Sequence, residues 1–283
     1  MNPIFSRTLK ALCTVSLVAL LSACGASSTV EPFKPTRVVG LGDGFNDPAA
    51  TVRETGSTTG TVVGQVAAYF GQSNIVSYAS SGQKITHLAA QISTATNAGA
   101  FTSSDLVVIT VGTHDVIDGT NLTDATRELV AAVQSLRSSR VKHILIMPVL
   151  DVTRTPWGRV NTSLVSTTAT NTFNEAVLLA LSTAFGSETP NSVIYANASG
   201  VTSFFLMATS AATFSPFTDT GYNGTAAGTS PACGNPAVFT GCVSTGISTP
   251  YTTMLFADGI HLTPAGNRWV ASYLYNATAQ GWR

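Results

Sequence analysis

The most constraining feature of this chain is a run that does not alternate. Leu106-Val107-Val108-Ile109 is apolar at four consecutive positions, between Asp105 and Gly112. A strand with one wet face alternates, whereas an unbroken aliphatic run needs cover on both faces. That places it inside a sheet with a helical layer on each side. Four more short apolar runs read as strands: Thr36 to Leu41, Asn74 to Ala79, His143 to Val149, and Val193 to Ala196. The stretches between them carry helical periodicity. Thr61 to Phe70 closes at Gly71. Lys84 to Ala95 sets Ile85, Leu88, Ala89 and Ile92 on one face. Leu122, Ala125, Leu129, Val133 and Leu136 mark a third amphipathic helix. A long helix spans Ser163 to Phe185, and a short one Val201 to Ala208. Strands alternating with helices predict an α/β fold, a five-stranded parallel sheet in three α/β/α layers.

In such a fold, ligands bind beyond the carboxyl ends of the strands. The loops there begin at Gly42, Ser80, Gly112 and Leu150. The first is dense in Gly and carboxylates: Gly42-Asp43-Gly44-Phe45-Asn46-Asp47. The second is Ser80-Ser81-Gly82, and the third Gly112-Thr113-His114-Asp115. Residues 209–253 are turn-rich and read as a long irregular surface loop, of the length that is usually functional or disordered.

Near the C-terminus, Asp258 precedes His261 by three residues, at the mouth of a helix that Thr263 caps and Pro264 begins. Val270, Tyr273, Leu274 and Ala277 fall on one face of that helix. A carboxylate beside an imidazole on a rigid helix start is the base and orienter half of a hydrolytic triad. The bland alternative is a surface turn in which Asp258 caps the helix.

Composition narrows the partners. The 283 residues carry 14 basic and 14 acidic side chains, and only 10% are charged. A balanced charge lacks the basic face that nucleic acid needs. No His accompanies Cys233 and Cys242 at metal-ligand spacing, so no metal site is expected, and no cofactor is expected either. Arg7 and Lys10 precede an apolar run from Ala11 to Leu21, then Ser22-Ala23-Cys24. A basic start, a short apolar segment and small residues predict a secretory leader, too short for a membrane span. Residues 25–36 are small and polar and read as a tether. Cys13 and Cys24 lie in the leader region. In an oxidising compartment, Cys233 and Cys242 are expected to form a disulfide, which would contribute roughly 2–3 kcal/mol in the entropic picture.

Two resemblances follow from these residues. Leu21-Ser22-Ala23-Cys24 resembles the lipobox of bacterial lipoproteins. That implies cleavage after residue 23, lipidation of Cys24, and an exported, lipid-anchored protein of a Gram-negative cell envelope. Gly25 after the Cys implies the outer membrane. The ordered set Gly42-Asp43-x-Phe45-x-Asp47, Ser80-Ser81-Gly82, Gly112-Thr113-x-Asp115 and Asp258-x-x-His261 resembles the four blocks of the GDSL (SGNH) hydrolases. These are flavodoxin-like serine esterases and lipases. The resemblance covers essentially all of the chain after the tether, and implies a single monomeric domain over residues 37–283.

Carried over by position, it makes Asp258 the orienter and His261 the general base, with Gly82 lending an N–H to the oxyanion hole. Two positions depart from the pattern. The family's nucleophilic Ser is Gly44 here, and its oxyanion Asn is His114. Gly44 keeps only its backbone N–H for the hole. Loss of the nucleophile removes roughly six orders of magnitude of turnover in serine proteases, and loss of one oxyanion donor roughly 10²–10³-fold. The resemblance thus implies an impaired hydrolase that binds an acyl, ester or glycan ligand. One alternative is an active esterase using water activated by His261, in the room left at Gly44, or a displaced hydroxyl from Ser80 or Ser81. Another is a purely structural envelope lipoprotein. Asp43, His87 and His143 are read as structural.

Overall fold

The computed structural model describes residues 33–49, 59–186, 193–196, 213–217, 222–225 and 255–282. The expected leader with Cys24, the expected helix at 201–208, and Cys233 and Cys242 lie outside these residues. Lys34 to Trp282 form one compact unit.

Five parallel strands make the sheet: β1 (Arg37–Gly42), β2 (Ile75–Ser77), β3 (Asp105–Thr110), β4 (His143–Met147) and β5 (Val193–Tyr195). Their order is β2-β1-β3-β4-β5, all neighbours parallel. β3 is buried at every residue, as its unbroken apolar run requires. Arg37 ties the start of β1 to β3 through a two-point ion pair with Asp105, at 2.6 and 3.1 Å.

Helices cover both faces. α1 (Val62–Tyr69) packs against the final helix on one face. On the other run α2 (Leu88–Ala98), α4 (Leu122–Ser138) and α6 (Thr167–Phe185). Val39, Leu41, Val107, Ile109, Ile144 and Ile146 share a cluster with Leu88, Leu129 and Val177. The two-residue period of a strand sends Val38, Leu106, Val108 and Leu145, all fully buried, to the opposite face. The last helix, α7 (Pro264–Gly281), is capped as its sequence predicts: Thr263 Oγ1 accepts from the Gly266 N–H at 3.2 Å, and Pro264 opens the first turn.

Some elements differ from the sequence reading. The helix expected from Lys84 begins as a 3-10 turn, Ile85–His87, before α2. α3 (Thr113–Ile117) and α5 (Pro156–Val160) are short helices built from segments read as loop. Thr155 caps α5 by accepting from the Gly158 N–H, and Pro156 fits its first turn. Within the loop predicted to be irregular throughout, β6 (Thr213–Phe217) and β7 (Tyr222–Thr225) pair antiparallel. Phe, Tyr and Thr in these segments favour extended backbone.

β1 and β3 are adjacent, but their connections leave to opposite sides. Their carboxyl ends therefore form the switch point at which open α/β sheets bind ligands.

Candidate active site

The turn carrying His261 is fastened twice across its base. The Thr263 N–H donates to the Leu255 carbonyl at 3.0 Å, and the Ala257 N–H to the His261 carbonyl at 2.8 Å. The Trp157 N–H of α5 holds it from outside through the Gly259 carbonyl at 2.8 Å. Leu255, Phe256, Ala257, Ile260 and Leu262 are all buried, so this is a core element and not a surface turn.

Asp258 is fully buried and accepts hydrogen bonds at both carboxylate oxygens. Its Oδ1 receives the backbone N–H groups of Ile260 (2.7 Å) and His261 (2.6 Å), and its Oδ2 lies 2.8 Å from His261 Nδ1. A carboxylate can only accept, so Nδ1 carries the ring proton and Nε2 holds the basic lone pair. This is the geometry of a general base with its orienter. Phe45 packs edge-on against the ring, with centroids 5.8 Å apart.

Nε2 faces Gly44. A Cβ built on Gly44 would lie against His261 Nε2 and 2.9 Å from Ser81 Oγ. The backbone at 44 does not enter the left-handed region. Glycine is therefore required here by the crowding around residue 44 and not by the chain's conformation. The place a side chain at 44 would occupy is thus crowded by the imidazole and the Ser81 hydroxyl.

The loop around Gly44 is held without any contribution from a side chain at 44. The Asp43 N–H donates to the Thr110 carbonyl at 2.7 Å, and Asp43 Oδ1 accepts from the Phe45 N–H. Burial pushes the Asp43 carboxyl up to about 7, opposed by the Phe45 N–H, the hydroxyls of Thr110 and Thr113, and His261. Its place inside the turn agrees with a structural role. Asn46, fully buried, donates to the carbonyls of Leu41 and Val108 (both 3.0 Å) and accepts from the Val63 N–H (2.9 Å). It thereby joins β1, β3 and α1. Gln91 brackets Gly42 from α2, accepting its N–H at 2.7 Å and donating to its carbonyl at 2.8 Å. Gly42 has φ +112, and a Cβ there would collide with the Thr110 carbonyl.

The second loop is tied to the first. Asp47 Oδ2 accepts from the Ser81 N–H at 2.9 Å, and the Ser80 N–H donates to the Gly42 carbonyl at 3.2 Å. Ser80 and Gly82 are exposed, and Ser81 is half-buried. Gly82 has φ +80. Neither the Gly82 nor the Gly44 N–H is engaged by another described residue. In the third loop, His114 stands half-buried in α3. Burial lowers its pKa below the ordinary histidine value, and His261 when protonated lowers it further by repulsion. A neutral His114 can donate one N–H. Asp115 accepts from the Ile85 N–H at 3.0 Å and anchors the second loop's helix, with its pKa raised by burial.

His87 and His143 stand apart from the cleft. His87 Nδ1 accepts from the Lys84 N–H and caps the 3-10 turn. His143 opens β4 at the amino end of the sheet and packs edge-on against Trp282. Sequence reasoning passed over Asn46 and Gln91. Their only signal is an amide residue just beyond a strand end, or on the apolar face of a helix.

The structure thus brings four loops together, with His261 and Asp258 bonded, Gly44 against the imidazole, and Gly82 and His114 on adjacent loops. A sequence model of the GDSL-like lipase/acylhydrolase family matches residues 34–274. The chain belongs to that family, whose fold is the flavodoxin-like three-layer arrangement seen here. No curated protein sequence matches the chain. Among solved structures, it is similar to an acetyl xylan esterase, with TM-score 0.51 and 16% identity over 85% of this chain and 98% of that one. It also matches a GDSL-like lipase from Bacteroides thetaiotaomicron, with TM-score 0.46 and 15% identity over 87% and 88% of the two chains. A third match is a psychrotrophic esterase from Pseudoalteromonas sp., with TM-score 0.46 and 11% identity over 87% and 97%.

Proposed function

We propose that this protein binds a carboxylic ester or other acyl ligand in the cleft between His261 and Gly82, and turns it over slowly. The observation that carries the reading is the Asp258–His261 pair, fully formed beside a position with no hydroxyl. Family membership supplies the ligand class. The unengaged N–H groups of Gly44 and Gly82 support carbonyl binding, since donors aimed at a developing oxyanion supply much of the catalysis in acyl transfer. Gly44 cannot form an acyl-enzyme, and His114 presents a longer, differently aimed donor than an Asn amide. Both departures favour an impaired hydrolase over a competent serine esterase.

The test is hydrolysis of short p-nitrophenyl esters by the purified protein. Slow turnover that disappears in His261→Ala supports the reading. Turnover that is unaffected by His261→Ala, or none at all together with no ester binding, removes it and favours the purely structural alternative. We also propose export and lipid anchoring at Cys24, on the strength of the leader and its lipobox-like ending. Intact mass of the membrane-extracted protein checks this: it should show loss of residues 1–23 and acyl additions.

A further inference from the structure

We propose that Ser81 is the acyl acceptor of this cleft, a nucleophile displaced from the first loop to the second. This rests on the reading that the cleft takes a carboxylic ester. Three observations carry it.

The first is an unused hydroxyl. Ser81 Oγ is buried and makes no hydrogen bond to any described residue. Buried hydroxyls nearly always find a partner, and exceptions ask for a reason. The second is position. Ser81 Oγ lies 2.9 Å from where a Cβ on Gly44 would sit, and His261 Nε2 abuts the same point. Hydroxyl and base are thus neighbours across the one position from which the family's own hydroxyl is missing. A serine at 44 and the present placement of Ser81 and His261 exclude one another. The third is support. The Ser81 N–H is fixed to Asp47 Oδ2, and Asp47 Oδ1 is itself fixed by the Ala49 N–H at 2.8 Å. Gly82 follows directly, with its N–H unengaged and φ +80. The N–H after the nucleophile is the oxyanion donor in nucleophile-elbow hydrolases, so Gly82 stands where a nucleophile at 81 needs it.

The chemistry balances with groups already present. His261 Nε2 takes the Ser81 hydroxyl proton as Oγ bonds to the ester carbonyl carbon, and the carbonyl oxygen becomes an oxyanion facing the Gly82 and Gly44 N–H groups. The carbon–alkoxy bond then breaks, and the imidazolium proton leaves with the alcohol. Water attacks the acyl–Ser81 ester, giving its proton to His261. The C–Oγ bond breaks, the carboxylic acid departs, and Oγ recovers the proton. Asp258 stays ionised and holds the ring throughout.

The experiment uses the purified full chain, a fluorophosphonate probe and p-nitrophenyl acetate, with peptide mapping by mass spectrometry. The expected result is a stoichiometric phosphonyl adduct on Ser81, lost in Ser81→Ala and strongly slowed in His261→Ala. Ester hydrolysis should fall in Ser81→Ala by about 10²-fold or more, with thermal unfolding nearly unchanged because the hydroxyl has no partner among the described residues to lose. In Ser81→Cys, iodoacetamide should alkylate residue 81 at a rate that depends on His261. An adduct on Ser80 or another serine overturns the assignment. So does hydrolysis that depends on His261 yet persists in Ser81→Ala: the cleft then still takes esters, but through water. Neither adduct nor ester turnover in the wild type overturns this inference, and together with absent ester binding it overturns the function on which the inference rests as well.

Discussion

The turn carrying His261 and the loop carrying Gly44 meet across a single side-chain position, but they are organised differently. In the turn, the reactive group is itself part of the framework. Asp258 accepts the backbone N–H groups of residues 260 and 261 and also the ring proton, so folding the turn orients the base. In the loop, the framework stands apart from the reactive position. Asp43, Asn46 and Gln91 shape it through backbone bonds that do not involve residue 44. The Asp258 side chain cannot be removed without unpairing buried groups, whereas residue 44 carries no side chain and the loop's bonds are intact.

That contrast can be broken or sharpened by substitution. Asp258→Ala leaves two backbone N–H groups and the ring Nδ1–H without their buried acceptor, and should cost about 3–5 kcal/mol in urea unfolding. A loss below about 1 kcal/mol would mean that the turn does not depend on its carboxylate. Asn46→Ala abandons two carbonyls and one N–H at the meeting of β1, β3 and α1, and should cost about 2–4 kcal/mol while leaving the His261 turn ordered. Gly44→Ala should cost about 1–3 kcal/mol, because its methyl needs the space held by His261 and Ser81. Its His261 ring resonances should shift in NMR. A neutral substitution with unmoved resonances would show that the two sides do not touch.

The smallest effect is in pH dependence. The native Asp43 carboxyl keeps its proton up to about 7, against an ordinary value of 3.8. Between those values the native state binds more protons than the unfolded chain, so this group's contribution makes stability fall as pH rises through the window. His143, lowered to about 4 by burial, acts in the opposite direction. Comparing wild type with Asp43→Asn at pH 4.5 and 7.5 cancels the His143 contribution. The variant should lose less stability on going up in pH.

Much of the fold was legible because burial leaves a direct mark on sequence. The unbroken apolar run at 106–109 announces a central strand, and Thr263-Pro264 announces a helix start. The site was legible where spacing fixes geometry: three residues from Asp258 to His261 in a tight turn leave few ways to avoid a bond. Position 44 was legible as a missing side chain, but not as a filled space. That depends on the approach of His261 and Ser81, 217 and 37 residues away along the chain. Asn46 and Gln91 were not legible, because an amide that binds backbone looks the same in sequence as one that faces water. The short pair β6 and β7 was hidden by the Gly, Thr and Ser around it, a composition that reads as turn.

The Asp258–His261 pair is formed although the hydroxyl expected at position 44 is absent. Nitrogen-15 NMR of the His261 ring tests it directly, with His261→Gln for assignment. The account predicts a neutral ring protonated at Nδ1, with Nε2 carrying the lone pair, and loss of that tautomer preference in Asp258→Ala. A ring protonated at Nε2, indifferent to Asp258, would contradict it.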